Sequence, residues 1–163
     1  MADKDFYILD QDRAYAQKRI DEIEKAILDL GPEFHVALNQ SNETWHDNAP
    51  FDELRERQAV MVAEMQELKA VLHQALPSLP KRQPGKVNIG NVVELEIEAT
   101  GRRESYLIAG HWTPHAGQIT NGHRVISCNT PLATSLLSHK LGDRVTLNPG
   151  SRQAYITKIE PAP

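Results

Sequence analysis

The sequence predicts an α+β protein, in which an N-terminal antiparallel α-helical coiled-coil hairpin precedes a small antiparallel sheet domain with one short helix. Apolar residues recur at steps of three and four through the first half of the chain and at steps of two in the second half. A proline-rich stretch, "PSLPKRQPG", separates the two patterns. We therefore assign residues 1–78 to the hairpin, 79–85 to a linker and 86–163 to the sheet domain.

The first helix is predicted to begin near Ala16. Gly31-Pro32 interrupts its pattern, but "PEFHVALNQ" resumes it through either Ala37 or Leu38, so we expect a kink or short break and an end near Gln40. The apolar residues that share one face of this helix are Ile20, Ile23, Ile27, Leu30 and Phe34.

The second helix has the more regular pattern. Asp47 or Asn48 is suited to cap its start, and Pro50 is tolerated in a first turn because that N–H has no partner within the helix. The pattern continues for about three and a half heptads with one polar member. Its positions are Phe51, Leu54, Gln58, Met61, Met65, Leu68, Leu72 and Ala75.

Two such seams joined by a short polar segment bury each other as an antiparallel hairpin. About 26 residues at 1.5 Å each give an arm of roughly 40 Å. Seams this narrow enclose no broad core, so we expect a projecting rod with its tip near residues 42–48. Whatever the tip carries is then held far from the rest of the protein.

The second half contains the patterns of a small sheet. "VVELEIE" and "SYLIAG" predict a first hairpin, "RVISC" a third strand, and "RVTLNPGSRQAYITKI" a closing hairpin that turns at Asn148-Pro149-Gly150. "TPLATSLLSHKLGD" predicts one short helix with Thr130 as its cap and Pro131 in its first position.

Composition narrows the function. The formal net charge of -4 argues against a protein that grips nucleic acid over a broad surface. The N-terminus lacks a signal-peptide pattern, and no apolar run approaches the length of a membrane span, so we expect a cytoplasmic protein without membrane contact. Cys128 is the only cysteine, and we interpret it as a buried strand residue rather than a nucleophile.

The loop "HWTPHAGQITNGH" brings His111, His115 and His123 near one another in sequence. Their spacing matches no standard zinc signature, so we interpret them as surface loop residues.

Thr130, Pro131 and Leu132 are candidate docking contacts. A capped turn followed by an exposed leucine would form a compact protrusion. The alternative is that Leu132 packs under its own helix.

Several stretches resemble the bacterial Gre transcript-cleavage factors. "DNAPFDELRERQ" is similar to the tip and second helix of that family, and "ISCNTPLATSLLSHKLGD" to its Ile-Ser-x-x-Ser-Pro-Leu motif, with Thr130 in place of serine. "VNIGNVVELE" and "YLIAG" resemble family strands, and the similarity covers nearly the whole chain.

The resemblance implies a monomeric, non-enzymatic elongation factor that binds RNA polymerase. Its hairpin would enter the secondary channel, its FKBP-like second domain would dock at the channel entrance, and nascent RNA and DNA would be met only through the elongation complex. The factor would have no cofactor of its own. Two tip acids would help hold the weakly bound second Mg2+ of the polymerase while the polymerase hydrolyses backtracked RNA.

The tip departs from the family pattern. The tip residues are Glu43, Thr44, Asp47 and Asn48; Asp47 is one expected acid, but the other position holds Thr44, a neutral hydroxyl. Glu43 either takes the missing role beside Asp47 as a ligand of the shared Mg2+ or points away. Trp45 either contacts the channel or covers the end of the hairpin.

Three functions follow from these alternatives. Two convergent carboxylates predict stimulation of RNA cleavage, which we expect. A single carboxylate predicts a Gre homologue that occupies the channel as a modulator or inhibitor. Outside this family, a rod with a sheet domain is also compatible with a structural or chaperone-like interaction protein.

Overall fold

The computed structural model describes residues 5–40 and 49–162, which form two compact units. The helical unit spans Arg13–Gln74, and the sheet unit combines the residues up to Asp12 with those from Ala75 onward. This division differs from the predicted boundaries, because the N-terminal residues belong with the sheet rather than with the hairpin.

Two long helices build the helical unit: α1, Asp10–Gln40, and α2, Ala49–Gln74. α1 begins six residues before the predicted start, with two aspartates in its first turn that complement the helix dipole. Pro32 lies inside α1, and helix is present on both sides of it. Among the described residues, no helix combines the length and apolar character needed to cross a membrane.

The predicted seams are the buried faces of these helices. The exposed fraction of Leu38 is 51%, whereas Ala37 is buried, which decides between the two alternatives at that turn. Two ion pairs show that the helices are antiparallel. Arg19 of α1 pairs with Glu64 of α2, whereas Glu33, later in α1, pairs with Arg57, earlier in α2. The buried seam residues are Ile20, Ile23, Leu30 and Ala37 of α1, and Leu54 and Leu68 of α2.

The sheet unit contains six strands and one short helix, which confirms the predicted class. The strand order is β3-β4-β2-β1-β6-β5. In chain order the elements are β1 Asn91–Ile97, β2 Arg103–Ala109, β3 Ile119–Thr120, β4 His123–Ser127, α3 Pro131–Leu136, β5 Arg144–Leu147 and β6 Arg152–Pro161.

One strand pair corrects the prediction of an entirely antiparallel sheet, because β2 and β4 run parallel. The residues between Ala109 and His123 carry the chain back across the sheet edge, and a crossover of a dozen or more residues is what a parallel pair requires. β3 was not predicted, since two residues are too short for a periodic signal.

Both faces of the sheet are covered. On one face, Leu95 and Ile108 pack in the larger core with Leu136 of α3. On the other, Leu9 from the N-terminal segment packs with Val92 of β1 and its neighbours. The N-terminal segment therefore supplies the second apolar layer that the strands alone lack.

Two hydrogen bonds to His111 attach this N-terminal segment. The Tyr7 N–H donates to His111 Nδ1 at 2.9 Å, and the His111 N–H donates to the Tyr7 carbonyl at 2.6 Å. Gly110 lies under this contact: a Cβ at that position would stand 2.1 Å from the Tyr7 carbonyl oxygen and 2.7 Å from Ile8 Cα. Only glycine permits so close an approach of two backbones.

We expect Gly110→Ala to destabilise the sheet unit by about 3 kcal/mol or more, because the added methyl group clashes with backbone rather than with a movable side chain. Gly31→Ala is the matched control. Outside its chain neighbours and its own helix backbone, no atom lies within 4 Å of its Cβ position, so the added methyl group meets no such clash. The helix propensity of alanine is offset by crowding against the ring of Pro32, which follows, so this variant should change the free energy of unfolding by about 1 kcal/mol or less. Denaturant unfolding monitored separately in each unit by hydrogen exchange measures both changes. A Gly110→Ala protein as stable as wild type would contradict the observed contact.

Candidate functional sites

The predicted tip residues Glu43, Thr44, Asp47 and Asn48 lie outside the residues that the structure describes, as does Trp45. Their roles stay predictions. The structure does define the two helix ends that the segment 41–48 connects, at Gln40 and Ala49.

An apolar cluster holds these two helix ends together. Leu30 and Ala37 of α1 are buried against Leu54 of α2. Next to them the rings of Phe34 and Phe51 meet edge to face, with centroids 5.5 Å apart. Apolar packing thus holds the end of α1 against the start of α2.

The predicted docking residues lie at the start of α3. Thr130 caps this helix as expected: its Oγ1 accepts from the Ala133 N–H at 3.2 Å and donates to the Ser127 carbonyl at 2.9 Å. Pro131 follows in the first turn and is exposed. Thr130 therefore has a structural role whatever else it contacts.

Leu132 is not the exposed residue that a docking protrusion would require. Its side chain is partly buried and packs against the larger core of the sheet unit. The alternative in which it packs under its own helix is the correct one. Pro131 is the member of this trio that offers an exposed apolar surface.

A groove of about 620 Å³ runs beside Pro131 between α3 and β5. Its polar lining includes Asn129, Ser135 and Arg144. The Arg144 guanidinium donates to Glu98 at 2.7 Å, and this contact holds the pKa of the Glu98 carboxyl below its usual value. The groove can accept hydrogen-bonding groups of a partner that also contacts Pro131.

The three loop histidines have separate partners. His111 accepts from Tyr7, His115 Nδ1 lies 3.3 Å from Gln118 Oε1, and His123 Nδ1 lies 2.5 Å from Ser105 Oγ. No cluster of metal-ligating side chains is found among residues 5–40 and 49–162.

Cys128 is buried as predicted, but it lies in the turn directly after β4 and not in the strand itself; burial raises the pKa of its thiol. A raised pKa keeps the thiol protonated, which agrees with the structural role predicted for it.

Sequence reasoning missed a buried carboxylate in the sheet unit. Asp12 is 1% exposed, and its Oδ2 has no hydrogen-bond partner. Burial raises the pKa of this carboxyl, while a hydrogen bond from Thr113 and the nearby His115 act in the opposite direction. The polar stretch "DQDR" gave no sign of this, because its burial depends on residues a hundred positions away.

Comparison with known proteins gives consistent matches. The family model described as "Transcription elongation factor, GreA/GreB, C-term" matches residues 82–161. Transcription elongation factor GreA of Thioalkalivibrio sulfidiphilus is 30% identical over 147 residues, covering 87% of this chain and 90% of that protein. GreA of Pelobacter propionicus is 30% identical over 128 residues, covering 77% and 78%. Among solved structures, GreA factor homolog 1 of Thermus thermophilus is 18% identical, with a TM-score of 0.40 over 96% of this chain and 99% of its own.

Thr130→Ala should destabilise the sheet unit by about 1 kcal/mol, because the first turn of α3 loses its side-chain acceptor. Thr130→Ser keeps the hydroxyl and should change the free energy of unfolding by only about a few tenths of a kcal/mol. Denaturant titration of both variants measures the difference. Equal losses in the two variants would mean that the methyl group, not the cap, stabilises this turn.

Asp12 makes a pH-dependent contribution with a defined sign. Its raised pKa means that the folded state binds a proton more tightly than the unfolded state, so stability falls as pH rises from the ordinary value of 3.8 through the raised one. The carboxylates of Glu64 and Glu98, whose pKa values are lowered by arginine partners, act in the opposite direction.

We therefore expect Asp12→Asn to become more stable relative to wild type as pH rises from about 4 to 7, because the variant has no buried charge to desolvate. Urea unfolding at several pH values measures the difference in the free energy of unfolding between the two proteins. The contributions of the other acids cancel in that difference. A constant difference across this range would exclude the proposed burial of the Asp12 charge.

Proposed function

Because the chain belongs to the GreA/GreB family of transcription elongation factors, we propose that it binds RNA polymerase and regulates elongation from the secondary channel. The observation that carries the proposal is the extent of the match. A similarity that covers 87% of the chain includes more residues than either compact unit contains. Both the hairpin and the sheet unit therefore share the family's ancestry.

The helices of the hairpin are long enough to extend into a deep channel. α2 alone contains 26 residues, or about 40 Å of helix. Its apolar seam faces α1, and its exposed residues are mostly polar or small apart from Val60, which suits a rod that enters a water-filled channel. The segment 41–48 would then be the part delivered furthest into the polymerase.

The tip chemistry requires oxygen ligands. Carboxylates are the side chains that Mg2+ prefers, and the segment 41–48 contains two of them, Glu43 and Asp47. We propose that both approach the second Mg2+ of the polymerase, where two metal ions stabilise the attacking and leaving oxygens of RNA hydrolysis. The bond is broken in the polymerase active site, so the factor is not itself the enzyme.

The sheet unit would supply the docking surface. Pro131 and the adjacent groove offer an exposed apolar ring beside hydrogen-bonding side chains. Thr130 would hold that turn in place rather than form the main contact, and Leu132 would support it from the core side.

RNA cleavage in halted, backtracked complexes of the cognate polymerase tests the proposal. At saturating factor, the wild-type protein should accelerate cleavage, and Asp47→Ala and Glu43→Ala should each reduce the acceleration at least tenfold, as expected when a metal ligand is lost. Full acceleration by Glu43→Ala would show that Asp47 acts without this second acid.

Binding must be measured beside cleavage. Pro131→Asp should weaken association with polymerase without changing the folded state, while both tip variants should bind like wild type. Binding of the wild-type protein without any acceleration would assign it the channel-occupying role that the neutral Thr44 favours. Absence of binding at low salt would overturn the whole proposal.

A further inference from the structure

The hairpin carries an apolar groove close to its tip segment. The groove encloses about 420 Å³ and lies between the last turns of α1 and the first turns of α2. Val36 is 54% exposed, a large fraction for a valine beside a packed cluster. The apolar walls are formed by Pro32, Val36, Ala37, Pro50 and Leu54.

The rim of this groove is charged. Glu33 and Glu53 stand on either side, with carboxylates 3.3 and 3.8 Å from the Arg57 guanidinium that they share. One cation between two acids leaves the rim with a net negative charge. Glu53 is 75% exposed and is therefore the more available carboxylate for a partner.

The excess of negative charge on the hairpin lies in its distal half, the described residues 29–40 and 49–57. These residues contain five acids and two arginines, whereas residues 13–28 and 58–74 of the helical unit contain five acids and five basic residues. Both distal arginines have contacts within the hairpin: Arg57 as above, and Arg55 over the Phe51 ring at 6.0 Å. The distal half is thus a locally acidic surface around an apolar depression.

We propose that this groove binds a basic segment of the polymerase, with one apolar side chain seated between Val36 and Leu54 and a lysine or arginine beside Glu53. The inference rests on the proposed function, since it names the partner surface of the same hairpin. Charge complementarity selects this occupant. A nucleic acid would bring phosphates to an acidic surface, and a second copy of the chain would bring two acidic ends together.

The apolar part of the site is tested with Val36→Asp against Leu28→Asp. Both residues are exposed on α1, at 54% and 78%, but only Val36 lines the groove. In equilibrium binding to polymerase core free of nucleic acid, Val36→Asp should weaken affinity about tenfold, the effect of losing one buried apolar side chain. Leu28→Asp should change it less than twofold, about the scatter expected of a neutral surface change. Equal losses, or none, would overturn the proposal.

The acidic rim is tested with Glu53→Lys against Glu67→Lys, the same charge change on α2 outside the distal half. Glu53→Lys should weaken binding about fivefold at low salt, with a difference that narrows as salt rises, whereas Glu67→Lys should have little effect. Tighter binding of Glu53→Lys only when the polymerase carries its DNA and RNA would identify a nucleic acid as the occupant and refute a basic protein segment.

These outcomes separate this inference from the proposed function. If the wild-type protein does not bind polymerase at all, the proposed function is refuted. If Val36→Asp binds with wild-type affinity, only the proposal that the groove is a binding site is refuted. If Val36→Asp lowers the melting temperature of the free protein more than Leu28→Asp does, with no selective loss of polymerase affinity, Val36 contributes to the folding of the hairpin and not to partner binding, and the groove proposal is refuted.

Discussion

The helical unit depends on two narrow apolar seams that bury each other. Each fully buried side chain, such as Ile23 or Leu30 on α1, stabilises the pair by about 1.5–3 kcal/mol. The side chains of the ion pairs that join the helices are 40% to 54% exposed, and each pair contributes about 0–1 kcal/mol. The seams therefore provide the stability and the ion pairs the alignment. Near the helix ends at Gln40 and Ala49, it is therefore apolar packing that holds α1 against α2.

The sheet unit solves a different packing problem. A twisted sheet with apolar residues on both faces needs a cover on each, but this chain has one short helix, α3, which covers one face. Leu9 and the extended residues around it cover the other, attached by reciprocal hydrogen bonds between Tyr7 and His111. This attachment requires a close backbone approach at Gly110, which only a residue without a side chain permits.

Periodicity predicted what depends on local sequence. The seam positions Ile23 and Leu54 were found because burial on a helix recurs every three or four residues. The same reasoning failed for Leu9, which is buried by strands far away in sequence, and for Asp12, which is buried near Thr113 and His115 of the loop after β2. It also gave a wholly antiparallel sheet, because alternation identifies a strand but not its direction. The seams predicted a tip near residues 42–48, whereas the roles of Glu43, Thr44 and Asp47 were predicted from the resemblance. The residues that the structure describes do not include them.

The acidic distal half gives the hairpin a consistent electrostatic role. At physiological salt, fields decay within about 8 Å, so an excess of acids in residues 29–57 acts near the tip and not along the whole rod. Such a surface favours a divalent cation and disfavours RNA phosphates. These preferences do not conflict in the proposed complex, since the polymerase itself holds the RNA. In that complex the factor would need to attract only the metal and a basic protein surface, and carboxylates would serve both purposes.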